Sequence, residues 1–344
     1  MSQTVMRAPV DFWTNDVWGD LFDQKPDGIL DCSEWRRHSD EPVYQEGARE
    51  KVLLVSPQSP TNGFIKPLHP YLFKQSDHRY PSQYWMEIIA YRLGRLTGVP
   101  VPPAYVALRD GAPGALIEWF YADPVDDWGR INFTLGGELL LGRDGNYDRM
   151  RGMSVGHCHA LDAVREILDA ANVAGWRGAF CRMLSFDVLI ANGDRHHNNW
   201  GIWQHVGIDG QAGDRFLAPA FDNGSSLGHE RHEQKLPDLL NNADWFINHT
   251  HGRKARHHIR LASDDNKGSR LAEPILALAT DNPHILDSIA PIVSVPWGKI
   301  EEILDTLGRF DAPVALSSNR QRFVKRILAT RLKLLRELLD EHGA

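Results

Sequence analysis

Short apolar runs separated by turns follow residue 42 and predict a small β-sheet. The runs are rich in Val, Leu, Ile, Tyr and Phe, and Gly, Pro or charged residues separate them, which is typical of strands. They cover residues 43–55 (two strands joined by a turn), 71–74, 99–108 and 114–120. Residues 56–70 contain four prolines and predict an exposed loop between two of these strands.

Residues 81–98 predict a helix that follows the second of these runs. Pro81 stands at its start and Gly98 at its end, the positions these residues prefer in helices. Trp85, Ile88, Ile89 and Leu96 give it an apolar face, and Glu87 stands within that face. A buried carboxylate is costly unless it is paired, so Glu87 predicts a cationic partner. A solvated glutamate on the helix surface is the alternative.

The chain looks helical from Tyr121 onward, after an irregular Gly- and Asp-rich stretch that continues to Gly152. Apolar positions then recur with a helical period. The predicted helices cover residues 159–171, 175–191, 271–280, 296–307 and 317–342. The last is long and amphipathic. A small sheet followed by helices predicts an α+β protein.

Residues 1–42 show no sustained periodicity. They contain the aromatic residues Phe12, Trp13, Trp18 and Phe22 among Asp, Gly and Pro. We expect an N-terminal extension that its aromatic side chains pack onto the main domain. A partner-binding arm is the alternative.

Composition narrows the classes of function. The chain has 344 residues and a formal net charge of −7, which argues against direct binding of nucleic acid. Its three cysteines are widely spaced and predict no disulfide framework. Neither a signal peptide nor an apolar run long enough to span a bilayer is evident. We therefore expect a cytoplasmic protein without a membrane partner.

Two polar motifs point to phosphoryl transfer. Asp194 precedes Asn199 by five positions in Asn-Gly-Asp-Arg-His-His-Asn-Asn, and Asp222 follows in Phe-Asp-Asn-Gly. In the protein-kinase pattern a loop aspartate precedes a metal-binding asparagine by this separation, and a second metal-binding aspartate follows. Their hard oxygen donors suit Mg²⁺. Alternatively, Asn-Gly-Asp is an ordinary turn signal.

The loop Asn192–Asn199 resembles the catalytic loop of the HipA-like bacterial kinases. It equally resembles the Asp-Arg-His-x-x-Asn signature of phosphoinositide lipid kinases. The resemblance covers residues 40–340 and implies a two-lobed protein-kinase-like fold. We expect an N-terminal extension over 1–42, a small β-rich lobe over 43–120 and a mostly helical lobe over 121–344. The longer family members carry a further N-terminal segment that residues 1–42 are too short to match.

The resemblance also implies the roles of the catalytic loop. Asp194 would accept or orient the substrate hydroxyl, and Asn199 and Asp222 would hold Mg²⁺. Arg195 or His196 would stabilise either the loop or the transferring phosphoryl group, and the sequence does not choose between these roles.

The nucleotide site is predicted from the small lobe. Lys74 would contact the ATP phosphates and pair with Glu87. Gly47 and Lys51 resemble the nucleotide-covering turn of HipA-like kinases, with a plain hairpin turn as the alternative. In the resembled family the strand over 114–120 ends in the hinge that meets adenine, so Glu118 and Phe120 are the hinge candidates. An ordinary edge strand is the alternative.

The function implied by the resemblance is an ATP- and Mg²⁺-dependent serine/threonine protein kinase. Some HipA-like kinases are toxins that a partner restrains and that autophosphorylation silences. This implies a protein substrate, an antitoxin-like partner, and modification of a loop that contains Ser56, Ser59 and Thr61. A lipid kinase is the first alternative. A pseudokinase that acts by protein interaction is the second, although no catalytic residue is missing.

Two histidine-rich stretches remain. His157, Cys158 and His159 are adjacent, so they do not readily chelate one zinc ion. Residues 249–260 are rich in His and Arg and predict a solvated loop or helix face. An anion- or substrate-docking patch is the alternative.

Overall fold

The computed structural model describes residues 11–14, 24–38, 51–121, 129–149, 159–252 and 255–342. Six of its strands form the sheet of the small lobe: β1 (Leu30–Asp31), β2 (Arg36–Arg37), β3 (Lys51–Val55), β4 (Pro70–Gln75), β5 (Ala104–Arg109) and β6 (Ala112–Glu118). Their order is β1-β5-β6-β4-β3-β2, and all neighbours are antiparallel except β1 and β5. The predicted strands are confirmed within residues 51–118, whereas residues 43–50 lie outside the described part.

Helix α1 (Tyr84–Thr97) connects β4 to β5 and packs against β5 and β6. Its predicted C-terminus is confirmed: Gly98 has φ +67°, and its N–H donates to the Gly94 carbonyl. A left-handed residue at this position favours glycine. Nearly every side chain of α1 is buried, including Glu87. The helix is therefore part of the small-lobe core, and it also holds the buried Glu87 side chain in place.

The large lobe is mostly helical. Its helices are α2 (Gly136–Arg143), α3 (Leu161–Ala170), α4 (Trp176–Leu189), α5 (Leu236–Leu240), α6 (Ala243–His251), α7 (Glu273–Ala279), α8 (Ala290–Val293), α9 (Trp297–Leu307) and α10 (Ser318–His342), with 3-10 turns over Glu233–Lys235 and Pro283–Ile289. The five helices predicted for this region are confirmed within a few residues. The apolar stripe of α10 is buried as expected and packs against α4, α5 and α6.

A second, three-stranded sheet flanks the catalytic loop, and the sequence reading missed it. It consists of β7 (Arg130–Leu135), β8 (Gly201–Val206) and β9 (Ala212–Leu217), all antiparallel. The expectation of helix or irregular chain over these residues was wrong. Tertiary contact explains the difference: a Cβ at Gly201 would lie 2.5 Å from the Thr134 carbonyl oxygen, so glycine permits the close approach of β8 to β7.

The N-terminal aromatic residues that the structure describes are packed on the main domain. Phe12 and Trp13 are both buried, and Phe12 meets the Phe120 and Trp203 rings edge-on. The Trp13 indole N–H lies 3.0 Å from the Leu217 carbonyl oxygen at the end of β9. Trp18 and Phe22 lie outside the described residues.

Two short strands from the predicted N-terminal extension, β1 and β2, pair at the two edges of the small-lobe sheet.

Two of the three cysteines, Cys32 and Cys181, are free and buried. Cys158 lies outside the described residues.

Candidate active site

One lysine joins the two lobes. The Lys74 ammonium, at the end of β4, lies 3.1 Å from Glu87 Oε1 and 3.0 Å from Asp222 Oδ1. Lys74 and Glu87 are 4% and 3% exposed, whereas the Asp222 side chain is 26% exposed. The buried carboxylate of α1 thus has a cationic partner, and the same cation holds the segment that follows β9.

Lys51 lies beside Lys74. The two residues are directly paired across β3 and β4, and paired residues point to the same face of a sheet. Two ammonium groups therefore lie on the face of the small lobe that meets Asp222. Gly47, the other residue predicted for the nucleotide-covering turn, lies outside the described residues.

The catalytic loop runs from the end of α4 to the start of β8 and is fixed by its own side chains. The Asn192 side-chain oxygen accepts from the Asp194 N–H at 3.0 Å, which forms the expected turn. The Asn199 side-chain N–H₂ donates to the Asp194 carbonyl at 2.7 Å. Because its nitrogen is bonded within the loop, Asn199 keeps its side-chain oxygen for another partner. Asp194 is half-buried.

The first residues of α2 support this loop from the other side. The Gly136 N–H donates to the Trp200 carbonyl at 2.9 Å, and the Gly137 N–H donates to the His197 carbonyl at 2.8 Å. A Cβ at Gly136 would lie 2.3 Å from the Trp200 ring, so a larger residue does not fit without a shift. The sequence reading assigned no role to these two glycines.

The guanidinium of Arg195 is bound entirely within the protein. Its Nε and Nη2 atoms donate to the two Asp187 oxygens at 2.9 and 2.7 Å, and Nη1 donates to the carbonyls of Asn199 and Phe221. A further Nη2 bond reaches Asn223. These contacts account for all five N–H donors of an arginine. All of these acceptors are protein atoms, which favours the loop-stabilising role of the two that the sequence left open for Arg195.

Asp187 is the residue that the sequence reading missed. It lies on α4, its side chain is fully buried, and it also accepts from the Asn192 side chain at 3.2 Å. Burial alone would lower the pKa of Arg195, but the Asp187 carboxylate raises that pKa above its usual value. A lone carboxylate in an apolar helix was the available signal, the same signal that identified Glu87.

His196 lies at the edge of a cluster of histidines that contains His159, His197 and His258. The His196 Nδ1 atom accepts from the Asn198 N–H at 3.1 Å. Burial and the neighbouring rings lower the pKa of His197 and His258 to about 4 and that of His159 well below 6.5. These three rings are therefore neutral at pH 7.

The predicted solvated face over residues 249–260 is wrong in part. His257 and Arg260 are 3% and 4% exposed, and the His257 Nε2 atom lies 3.0 Å from the Leu271 carbonyl oxygen. Of the three residues considered for zinc, His157 and Cys158 lie outside the described residues. Within the described part, no group of His, Cys, Asp and Glu side chains is arranged to hold a metal ion by itself.

The two hinge candidates lie where β6 leaves the small lobe. The Glu118 N–H donates to the Pro103 carbonyl, and the Glu118 carboxylate lies 2.6 Å from the Lys66 ammonium. Phe120 packs against the rings of Phe12, Phe133 and Phe221, the last of which precedes Asp222. The structure thus brings Phe120, but not the Glu118 carboxylate, to the Asp222 segment.

The loop over residues 56–69 is anchored more firmly than expected. Phe64 and Ile65 are buried, and Ser56 is 2% exposed because its hydroxyl bonds the Lys66 carbonyl and the His69 N–H. Ser56 is therefore wrong as an exposed acceptor. Ser59 and Thr61 are exposed.

A large cavity lies away from these residues. It has a volume of about 1080 Å³ and is bordered by the N-terminal segment, the end of α1 and α9. None of the predicted site residues lines this cavity, so the site is assigned from side-chain chemistry.

Among the described residues, no helix combines the length and apolar character that crossing a bilayer requires.

Comparisons with known proteins relate the sequence and the fold of this chain to a family and to solved structures. The family model of the HipA-like C-terminal domain matches residues 45–283. The proinflammatory kinase CtkA of Helicobacter pylori matches with a TM-score of 0.66 at 16% identity, over 92% of this chain and 99% of that chain. No curated protein sequence matches significantly.

Two further solved structures match less well. HipA of Shewanella oneidensis MR-1, in a complex with HipB and operator DNA, has a TM-score of 0.49 at 13% identity, over 88% of this chain and 68% of that chain. A Golgi casein kinase has a TM-score of 0.37 at 11% identity, over 87% and 72%. Together with the two lobes described above, the likeness to CtkA shows a kinase-like α+β fold, as predicted.

Proposed function

The chain belongs to the family of HipA-like C-terminal domains, and from this premise we propose that it is an ATP- and Mg²⁺-dependent kinase acting on serine or threonine hydroxyls of proteins. The observation that carries the proposal is the Lys74 ammonium, held between Glu87 and Asp222 beside the loop of Asp194 and Asn199. Phosphoryl transfer requires this combination of a cation, two metal ligands and a carboxylate for the hydroxyl.

Each residue has a separate task in this proposal. Lys74 and Lys51 neutralise phosphate charge, and Glu87 keeps the Lys74 side chain extended towards the nucleotide. Asp194 orients the acceptor hydroxyl and takes its proton. Phe120 would pack against the base at the hinge, where the bond of the Glu118 N–H to the Pro103 carbonyl would hold the end of β6. Catalysis then rests on positioning and on electrostatic stabilisation of the transferring group.

The metal ligands fit Mg²⁺. Asn199 has its amide nitrogen bonded to the Asp194 carbonyl, so its oxygen is the atom available for a cation. Asp222 supplies a carboxylate oxygen, and its side chain is partly exposed. Mg²⁺ typically takes one or two protein groups and completes its shell with phosphate and water. When bound, it would neutralise charge on the nucleotide phosphates.

We expect hydroxyls of the chain itself to be among the first acceptors. Ser59 and Thr61 are exposed on the loop that follows β3. A phosphate there adds about 1.5 to 2 negative charges near the ATP phosphates, which disfavours nucleotide binding. Modification at this loop would silence the enzyme, and an antitoxin-like partner is the further proposal that the resemblance supports.

Incubation with labelled ATP and Mg²⁺, alone and with a cell lysate, tests the proposal. We expect phosphoserine or phosphothreonine in protein, mapped by mass spectrometry to Ser59, Thr61 or a second protein, and no label when EDTA removes the metal. The Ser59→Ala/Thr61→Ala variant separates self-modification from transfer to another protein. Label only in the lipid fraction would favour a lipid kinase, and tight ATP binding without transfer would favour a pseudokinase.

A further inference from the structure

The backbone of Asp222 adopts an unfavourable conformation. Its φ is +54°, in the left-handed region that residues with a Cβ rarely occupy. Such a residue persists when its surroundings over-determine its conformation, and these residues cluster at functional sites. The contacts that hold Asp222 in this conformation are therefore worth identifying.

Both neighbours of Asp222 are held by the same guanidinium. On one side, Arg195 Nη1 donates to the Phe221 carbonyl. On the other side, Arg195 Nη2 donates to the Asn223 side-chain oxygen at 2.8 Å. The Asn223 backbone N–H donates to Glu87 Oε2 at 2.9 Å, and its side-chain nitrogen donates to the Ala220 carbonyl at 2.8 Å. Asp222 is thus clamped before and after its own backbone.

The same guanidinium also reaches the other predicted metal ligand. Arg195 Nη1 donates to the Asn199 carbonyl at 2.8 Å, while Asp187 fixes the plane of the guanidinium through two parallel bonds. Because Arg195 is 1% exposed, water does not compete for these bonds. One rigid group therefore sets the distance between the backbones of Asn199 and Asp222.

We infer that Asp187, Arg195 and Asn223 are positioning residues that hold Asp222 in its left-handed conformation and so aim its carboxylate, with the Asn199 oxygen, at one Mg²⁺. This inference rests on the proposed function for the identity of the metal ligands. All three residues are 1% exposed, so their side chains are not accessible to a substrate. Groups that orient metal ligands in this way typically change metal affinity about 10- to 100-fold when they are replaced.

The variant Asn223→Ala tests the inference. It removes the side-chain bonds to Arg195 and Ala220 but keeps the backbone N–H that binds Glu87. Asn241→Ala is the matched control, because the exposed Asn241 side chain also donates to a carbonyl, that of Pro237, at 3.1 Å and outside this network. Urea unfolding of both variants checks that the fold is intact.

Two readouts distinguish positioning from general stability. Hydrogen exchange of the backbone amides at residues 222–224, measured without nucleotide, should be about tenfold faster in Asn223→Ala, the scale expected for losing a buried hydrogen bond. Calorimetry with an ATP analogue should show the affinity for Mg²⁺ reduced about 10- to 100-fold, with metal-free nucleotide affinity unchanged. Asn241→Ala should match the wild type in both.

A double-mutant cycle identifies Arg195 as the link. Asp187→Asn should weaken Mg²⁺ binding as well, and Asp187→Asn/Asn223→Ala should lose less than the product of the two single effects, because both act through one guanidinium. If Asp187→Asn does not fold, hydrogen exchange and calorimetry of Asn223→Ala alone test the inference. Unchanged exchange at residues 222–224 would overturn the inference, as would equal losses of nucleotide affinity with and without Mg²⁺.

Different results would contradict the proposed kinase activity and the positioning of Asp222. A wild-type protein that binds ATP more tightly with Mg²⁺ but transfers no phosphate contradicts the proposed kinase activity and leaves the positioning result standing. A wild-type protein that binds no nucleotide contradicts the proposed function, and the exchange measurement still judges the positioning of Asp222. Active wild type together with a fully wild-type Asn223→Ala variant overturns the positioning role alone.

Discussion

Lys74 and Glu87 form a buried ion pair whose two members depend on each other. Lys74→Met leaves Glu87 buried without its cation, which typically costs about 3–5 kcal/mol of unfolding free energy. Lys74→Met/Glu87→Gln leaves no charge at the buried position 87, and the Asp222 carboxylate that also loses Lys74 is partly exposed, so the double variant should recover much of that loss. We expect phosphoryl transfer to be lost in both, because both lack the cation at the phosphates.

Urea unfolding and a transfer assay on the same samples check this prediction. Lys325→Met is the matched control, since Lys325 pairs with an exposed carboxylate, Asp305, at 2.8 Å. An exposed pair contributes about 0–1 kcal/mol. Equal stability of the single and double variants at positions 74 and 87 would contradict the account of the pair.

At the scale of single residues, the sequence identified side chains that have a local signal. Glu87 was found because a carboxylate stands in an apolar helix face, and Asp194 and Asn199 because of their spacing. Arg195 remained open between two roles, since only the tertiary structure shows where its five donors point. Asp187 and Asn223 are linked through Arg195. The three residues lie in different segments of the chain, so no local pattern reveals the link.

Trp13 anchors the N-terminal segment to the strand that leads to Asp222. It is 7% exposed, its indole N–H reaches the Leu217 and Ala218 carbonyls, and the Arg182 guanidinium lies 5.3 Å from its ring. Trp13→Ala should cost about 3–5 kcal/mol of unfolding free energy, the range for truncating a buried tryptophan to alanine. Trp13→Phe keeps most of the packing and should cost about 1–3 kcal/mol for the lost donor.

Urea unfolding of the two variants measures this series. Thr14→Ala, at an exposed neighbouring position, is the control and should match the wild type within about 0.5 kcal/mol. Wild-type stability of Trp13→Ala would show that the N-terminal segment contributes nothing to the fold.

At the scale of elements, length and periodicity decided what could be predicted. Helices α1 and α10 carry several turns of a regular apolar pattern and were predicted to within three residues. Strand β7 was missed because its pairing with β8 joins residues about 70 positions apart, and β8 and β9 were missed although they form a local hairpin. Their stability comes from tertiary contacts of the kind that Gly201 and Thr134 make, which local propensity does not encode.

Buried and half-buried histidines make the stability of the whole molecule depend on pH. Burial is the main cause that lowers the pKa of five of them: His197, His249, His257 and His258 to about 4, and His159 well below 6.5. In the unfolded chain they titrate near 6.5, so the unfolded state binds more protons. Their contribution is therefore complete above pH 6.5 and is lost as the pH falls from 6.5 towards 4.

Urea unfolding between pH 7.5 and pH 5 measures this loss, before most carboxylates titrate. Each neutral buried histidine contributes a slope of up to about 1.4 kcal/mol per pH unit. His258→Gln should reduce the slope by one histidine, whereas His251→Gln, at an exposed position, should not. A flat profile would mean that these histidines are protonated inside the folded protein.

At the scale of the whole molecule, the class and the two lobes followed from a small sheet that precedes many helices, together with the resemblance. The sequence did not predict how the N-terminal residues join the small lobe. Strand β1 pairs with β5 across about 77 positions, and β2 covers the opposite edge. Two-residue strands carry almost no local signal, because their pairing is set by the edges that the rest of the sheet leaves exposed.

We propose that this site transfers phosphate, with Asp194 as the group that orients the acceptor hydroxyl. The direct measurement is phosphoryl transfer from ATP with Mg²⁺ by the wild type and by Asp194→Asn, with nucleotide affinity determined in parallel. Asp214→Asn, at an exposed position on β9, is the control. We predict transfer by the wild type and the control, and transfer about 100- to 10,000-fold slower in Asp194→Asn with ATP affinity near normal. Transfer at the wild-type rate by Asp194→Asn would contradict the account.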